Sequence, residues 1–173
     1  MNLPFEIDIW QGEIAELEVD AIIIPASESL FMTGPVGAAV KRRAGDGVER
    51  EAVAQGPAAG GSVIVTSGGS LAAPWILHAV AVGHDLRADA ARLSAALGAA
   101  FDAALAMDLR RLAMAPLGAE RGVFPASQAA EALVGVLRAR PDLAPIESLV
   151  VAVGSPGEAA AYRAAVEAVR ASA

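Results

Sequence analysis

The sequence predicts an α/β fold, a three-layer α/β/α sandwich built on a mixed, mostly parallel central sheet. Two observations carry that prediction. Short β-branched runs bounded by turn residues, among them Ala21 to Ile24, Ser62 to Thr66, Trp75 to Val82 and Ser148 to Val153, read as buried strands. Longer Ala-rich segments with an apolar stripe alternate with them and read as helices layered on the sheet. At 173 residues the chain corresponds to one domain, 1–173.

Each element follows from its local pattern. Phe5, Ile7 and Ile9 alternate with Glu6, Asp8 and Trp10, so the first strand has one wetter face and belongs at or near a sheet edge. Gln11 to Ile14 turns, and Leu17, Val19 and Asp20 lead into the Ala21 strand, which Pro25 is expected to stop. A helix is expected from Ala39 to Ala44, and a second from Val48 to Gln55 after Gly45 and Gly47. Gly56 to Gly61 is a breaker cluster before the Ser62 strand, and SGGSLAAP turns the chain into the Trp75 strand. Leu93, Leu97, Phe101 and Leu105 recur every four residues and mark a helix from about Arg87 to Met107. Leu112 to Ala115 is a short strand closed by Pro116, and Ser127 is the expected cap of a helix reaching Ala139. After the last strand, Ser155, Pro156 and Glu158 form a capping box with proline at the first helical position. The two early connections are too short for helical crossovers, which makes the sheet mixed.

Composition narrows the function classes. Residues are 55% hydrophobic but only 4% aromatic, so Ala, Val and Leu fill the core. A net charge of −7 argues against bulk nucleic-acid binding, which needs a basic face. There is no cysteine and only two histidines, so no thiolate metal site is available and no cofactor or metal is implied. The N-terminal residues show no cleavable signal pattern, and no apolar run approaches the ~20 residues of a membrane span. A cytoplasmic protein without membrane contact is expected.

If the middle strands are parallel, three small-residue loops gather at one sheet end: Pro25 to Val36, Leu117 to Pro125 and Gly154 to Gly157. Each precedes a helix, and together they form a cradle for a diphosphate at helix N-termini. His78, inside an apolar strand, reads as a buried, hydrogen-bonded residue, and His84 as a solvated one. Lys41, Arg42 and Arg43 read as a solvated helix face, and Trp10 and Trp75 as core or rim packing. Glu16, Glu18 and Asp20 lack the spacing of a metal site.

Gly12-Glu13-Ile14, Asp20-Ala21-Ile22-Ile23 and Gly34-Pro35-Val36 with Ala39-Val40 resemble the opening of a macrodomain. The resemblance continues through Val65-Thr66-Ser67-Gly68, Leu71, Ile76 to Val80, Pro116-Leu117-Gly118, Phe124-Pro125 and Tyr162. Macrodomains bind ADP-ribose in that crevice, and some hydrolyse its derivatives. By that resemblance, Glu13 and Ile14 meet adenine with help from Gly154 and Ser155. Thr33, Gly34, Pro35 and Val36 surround the diphosphate with Gly118, Ala119, Glu120, Arg121 and Gly122, and Ser27 meets the distal ribose.

The chain also departs from the family. Glu13 stands where an Asp is usual, Ser27 replaces the Asn of the distal ribose site, and Gly37 replaces the Asp that orients water in hydrolytic members. Pro35 removes one backbone N–H from the cradle. Glu120 would repel a diphosphate if it pointed inward, and Arg121 would offset it. The expected function is therefore binding of ADP-ribose or a related adenine nucleotide with weak or no catalysis, and no catalytic residue is assigned. Partners would be that small molecule or an ADP-ribosylated protein, with a homo-oligomer open. The alternatives are a hydrolase of ADP-ribose derivatives and a degenerate fold used as an interaction or assembly module.

Overall fold

The computed structural model describes residues 3–85, 87–118 and 124–172. Its strands are β1 (Glu6–Gln11), β2 (Ala21–Ser27), β3 (Val63–Ser67), β4 (Trp75–Val82), β5 (Arg111–Met114) and β6 (Ser148–Val153). Its helices are α1 (Pro35–Ala44), α2 (Gly47–Ala54), α3 (Ala90–Ala106), α4 (Ala126–Arg138) and α5 (Pro156–Ala171). The six strands form one sheet in the order β1-β6-β5-β2-β4-β3. Only the β3–β4 pair is antiparallel; the other pairs are parallel. The sheet is therefore mixed, with β1 and β3 at its edges.

Alternation along the central strands explains the three layers. Ala21 and Ile23 of β2 enter a large core with Leu93, Leu97 and Phe101 of α3, Leu133 of α4 and Tyr162 of α5. Ile22 and Ile24 point the other way, into a smaller core with Ile14, Val40 and Ala44. A strand that is apolar on both faces must be covered on both, and the two helical layers do that.

Several local expectations change in context. Strand β2 does not stop at Pro25 but runs through it to Ser27, with Pro25 opposite Ala79 of β4. Its pairing with β5 ends at Ile23 opposite Met114, so beyond that point a proline removes no hydrogen bond on the β5 side. Helix α1 begins at Pro35, four residues before the Ala39 expected, because the first helical N–H has no partner within the helix anyway. Helix α3 starts at Ala90, where Asp89 caps it by accepting the Arg92 N–H at 2.7 Å. Ser127 lies inside the first turn of α4 instead of capping it; Pro125 holds the cap position with no side-chain bond.

The β1–β2 connection is also different from a simple reversal. β1 and β2 run the same way, and Gly12 to Asp20 crosses back with one 3-10 turn at Ile14–Glu16 where a helix is usual. Asp20, the end of that crossing, accepts the N–H groups of Arg110 at 2.9 Å and Arg111 at 2.8 Å, tying it to the start of β5.

Two buried polar groups differ in how they are satisfied. His78 Nε2 lies 2.8 Å from Thr66 Oγ1, joining β4 to β3 inside the core. The Tyr162 hydroxyl, by contrast, is buried with no hydrogen-bond partner among the described residues. Burial, with the Glu158 carboxylate adding to it, holds the phenol protonated far above its ordinary range. An unpaired buried hydroxyl is a net cost, so Tyr162→Phe is expected to leave stability unchanged or raise it by about 1 kcal/mol in urea unfolding. A loss of that size instead would mean that the hydroxyl has a partner.

Candidate functional site

A cavity of about 350 Å³ opens where β1, β5 and β6 end and α1 and α5 begin. Gly12, Glu13, Ile14 and Ala15, which follow β1, form one wall. Pro35, Val36, Ala39 and Val40 of α1 form another, and Ala115, Pro116, Ala152, Gly154 and Glu158 complete it. Its volume lies within the range of small-ligand sites, and its position beyond the carboxyl ends of parallel strands is where α/β sheets collect ligands.

The cavity exists because the neighbouring strands carry small residues there. Where β2 places Ile22 and Ile24 against the α1 layer, β6 places Ala152, and Ala115 follows β5. Ala39 of α1 faces the same space. Larger side chains at these positions would fill the crevice.

Of the residues singled out from the sequence, Glu13, Ile14, Pro35, Val36 and Gly154 line this cavity together. Gly34 caps α1 from an extended backbone, its carbonyl accepting the Ala38 N–H at 2.8 Å. Thr33 precedes it in the same loop, outside the cavity wall. The loop is anchored by Glu49 of α2, which accepts the Met32 N–H at 2.7 Å and the Lys41 ammonium at 3.1 Å. Burial pushes the Glu49 carboxyl up, but these two donors outweigh it and its pKa falls below the usual value. Ser155 is occupied as the cap of α5: its Oγ accepts the Glu158 N–H at 3.2 Å and lies 3.4 Å from Glu158 Oε1. Gly118 has φ +74° and ends the described part of the loop after β5. Ala119, Glu120, Arg121 and Gly122 lie outside the described residues.

Ser27 stands apart from the cavity, at the end of β2, its Oγ 3.0 Å from that of Ser29. Gly37 sits in the first turn of α1 and is buried, and a Cβ there would lie 3.3 Å from the Met32 Cα. A side chain there would press on the Met32 backbone, and glycine has none to hold a water molecule. Sequence reasoning missed the cavity role of Gly12, Ala15, Ala39, Val40, Ala115, Pro116, Ala152 and Glu158. No local signal singled these positions out, because alanine is abundant throughout the chain.

Electrostatics at the mouth are set by carboxylates. Glu13 and Glu158 are the charged side chains among the described lining residues. Arg43 Nη1 lies 3.7 Å from Glu13 Oε2 and 3.2 Å from Glu16 Oε1, a half-exposed bridge of modest strength. Lys41 is likewise held by Glu49, so these two members of the basic run have carboxylate partners. On the far side of the loop, His84 Nε2 lies 3.3 Å from Glu28 Oε2, and the His84 N–H donates to the same oxygen at 3.2 Å. No group of three metal-ligating side chains is found among the described residues. No described helix is long and apolar enough to cross a membrane.

Comparison with known proteins agrees with this geometry. A family model described as Macro domain matches residues 23–133. An uncharacterised protein of Mycobacterium tuberculosis is 30% identical over 94% of this chain, which spans 45% of that protein. The ADP-ribose glycohydrolase MACROD1 of Mus musculus is 31% identical over 79% of this chain and 43% of its own length. The chain thus spans less than half the length of these relatives. The crystal structure of the Trypanosoma brucei macrodomain in complex with ADP-ribose shares the fold, with a TM-score of 0.85 at 23% identity, covering 93% of this chain and 69% of that one.

Proposed function

The chain belongs to the Macro domain family, and from that premise we propose that its crevice binds ADP-ribose or a related adenine nucleotide, with little or no catalysis. The observation that carries this is the cavity itself, which puts Glu13 and Ile14 on one wall and the N-terminus of α1 on another. Glu13 offers an acceptor to the adenine amino group, and the helix N-terminus favours a diphosphate. A solved family member holding ADP-ribose and a relative named as an ADP-ribose glycohydrolase support the same ligand class. The weak-catalysis half of the proposal follows from Gly37, which has no side chain to orient water, and from Ser27, whose hydroxyl has less hydrogen-bonding reach than the amide of Asn.

Calorimetry with ADP-ribose, using AMP and NAD as comparisons, tests the binding. Dissociation at or below tens of micromolar, on the order of 6 kcal/mol, is expected. No heat at millimolar ligand, with no thermal shift, would overturn it and favour an interaction module. Glu13→Ala is expected to weaken ADP-ribose by about tenfold, the size of one lost hydrogen bond to a charged acceptor. Unchanged affinity would remove Glu13 from the adenine site. Turnover of an ADP-ribosylated protein or an acylated ADP-ribose, abolished by altering Ser27, would overturn the non-catalytic half.

A further inference from the structure

We infer that Glu158 recognises the adenosine ribose and makes this site reject nucleotides phosphorylated on that sugar. The inference rests on the ADP-ribose reading above. ADP-ribose has a fixed covalent order, adenine, ribose, diphosphate, distal ribose. The sheet has the matching order: β1 leads to Glu13, β6 comes next, and β5 and β2 lead to the loops at the diphosphate end. A ligand with adenine at Glu13 and diphosphate at α1 therefore lays its first ribose across the end of β6. Gly154 and Glu158 are the cavity residues that follow β6.

Glu158 is suited to a sugar diol. It is the third residue of α5, lines the cavity, and its carboxylate is steadied by the Ser155 hydroxyl at 3.4 Å. A carboxylate has two oxygens, and adjacent ribose hydroxyls can donate to both. An acidic side chain reads an unmodified ribose in the same way in dinucleotide-binding folds, where arginine takes its place for a 2′-phosphate. Here a 2′-phosphate would bring nearly two negative charges against Glu158, with Glu13 also lining the cavity. No Lys or Arg lines the described part of the cavity, and Arg43 is engaged by Glu13 and Glu16. Arg121 lies outside the described residues.

The test is calorimetry of the intact chain with ADP-ribose and with ADP-ribose 2′-phosphate, at low and at high salt, for the native chain and for Glu158→Gln. The native chain should bind ADP-ribose at least about tenfold more tightly, and the gap should narrow as salt screens the repulsion. Glu158→Gln keeps the side-chain length and should close most of the gap from both directions, weakening ADP-ribose and improving the phosphorylated ligand. Equal affinities in the native chain, or a gap that survives Glu158→Gln in full, would overturn the inference while leaving ADP-ribose binding intact. No binding of ADP-ribose by the native chain would remove both readings.

Discussion

Ala152→Leu is expected to abolish measurable ADP-ribose binding, by about a hundredfold or more, while the protein stays folded. Ala152 is nearly buried in β6 at the edge of the smaller core, and its side chain also lines the cavity. A leucine there would grow into the space that the adenosine moiety would occupy in the proposed complex. Overfilling a packed core costs about 1–3 kcal/mol. Growth into open volume should shift stability by less than about 1 kcal/mol in urea unfolding. Calorimetry and the unfolding curve together decide the matter. Unchanged affinity would place the ligand elsewhere, and a large loss of stability would mean that Ala152 faces packed atoms.

Acid should destabilise the fold through His78 before most carboxylates are neutralised. Burial pushes its imidazole down to about 4, against an ordinary value near 6.5. The unfolded chain therefore binds more protons than the folded one between those two values. Stability from this group is intact above about pH 6.5 and is lost as pH falls toward 4, about 3 kcal/mol in all. Urea unfolding at pH 7.5 and 4.5, compared between the native chain and His78→Gln, isolates it. Carboxylates such as Asp20 and Glu49 titrate in both proteins, so only the histidine contribution differs between them. The variant should lose less stability over that interval, and parallel curves would mean that His78 is charged without penalty.

Much of the architecture was legible because two periods dominate the sequence. The runs at Trp75 to Val82 and Ser148 to Val153 are strands with those bounds, and the Leu93-Leu97-Phe101 stripe is buried as its spacing requires. The cap at Ser155 was legible because its three residues act locally. Tertiary context decided what local rules missed. Pro25 is tolerated in β2 because β5 has already ended its pairing, and no local pattern reveals that. Ser127 had the right chemistry for a cap but lies two residues beyond the position the chain uses.

The site divided in the same way. Glu13, Ile14, Pro35, Val36 and Gly154 were found from motif resemblance and do meet in one cavity. Ala115, Ala152 and Glu158 were not, since alanine is abundant throughout this chain and Glu158 already had a capping role to explain it. Only the strand order, with β6 inserted between β1 and β5, makes their meeting visible.

The two tryptophans stand at opposite ends of the sheet. Trp10 lies near the end of β1, opposite Ala152 of β6, and its indole packs so closely over Gly12 that a methyl group there would fall inside the ring. Trp75 is the first residue of β4, at the other end of the strands, and is partly exposed. Both Gly12 and Ala152 line the cavity. The chain thus carries a built-in optical pair: ultraviolet emission from Trp10 reports on the mouth of the crevice, and emission from Trp75 serves as a reference remote from it.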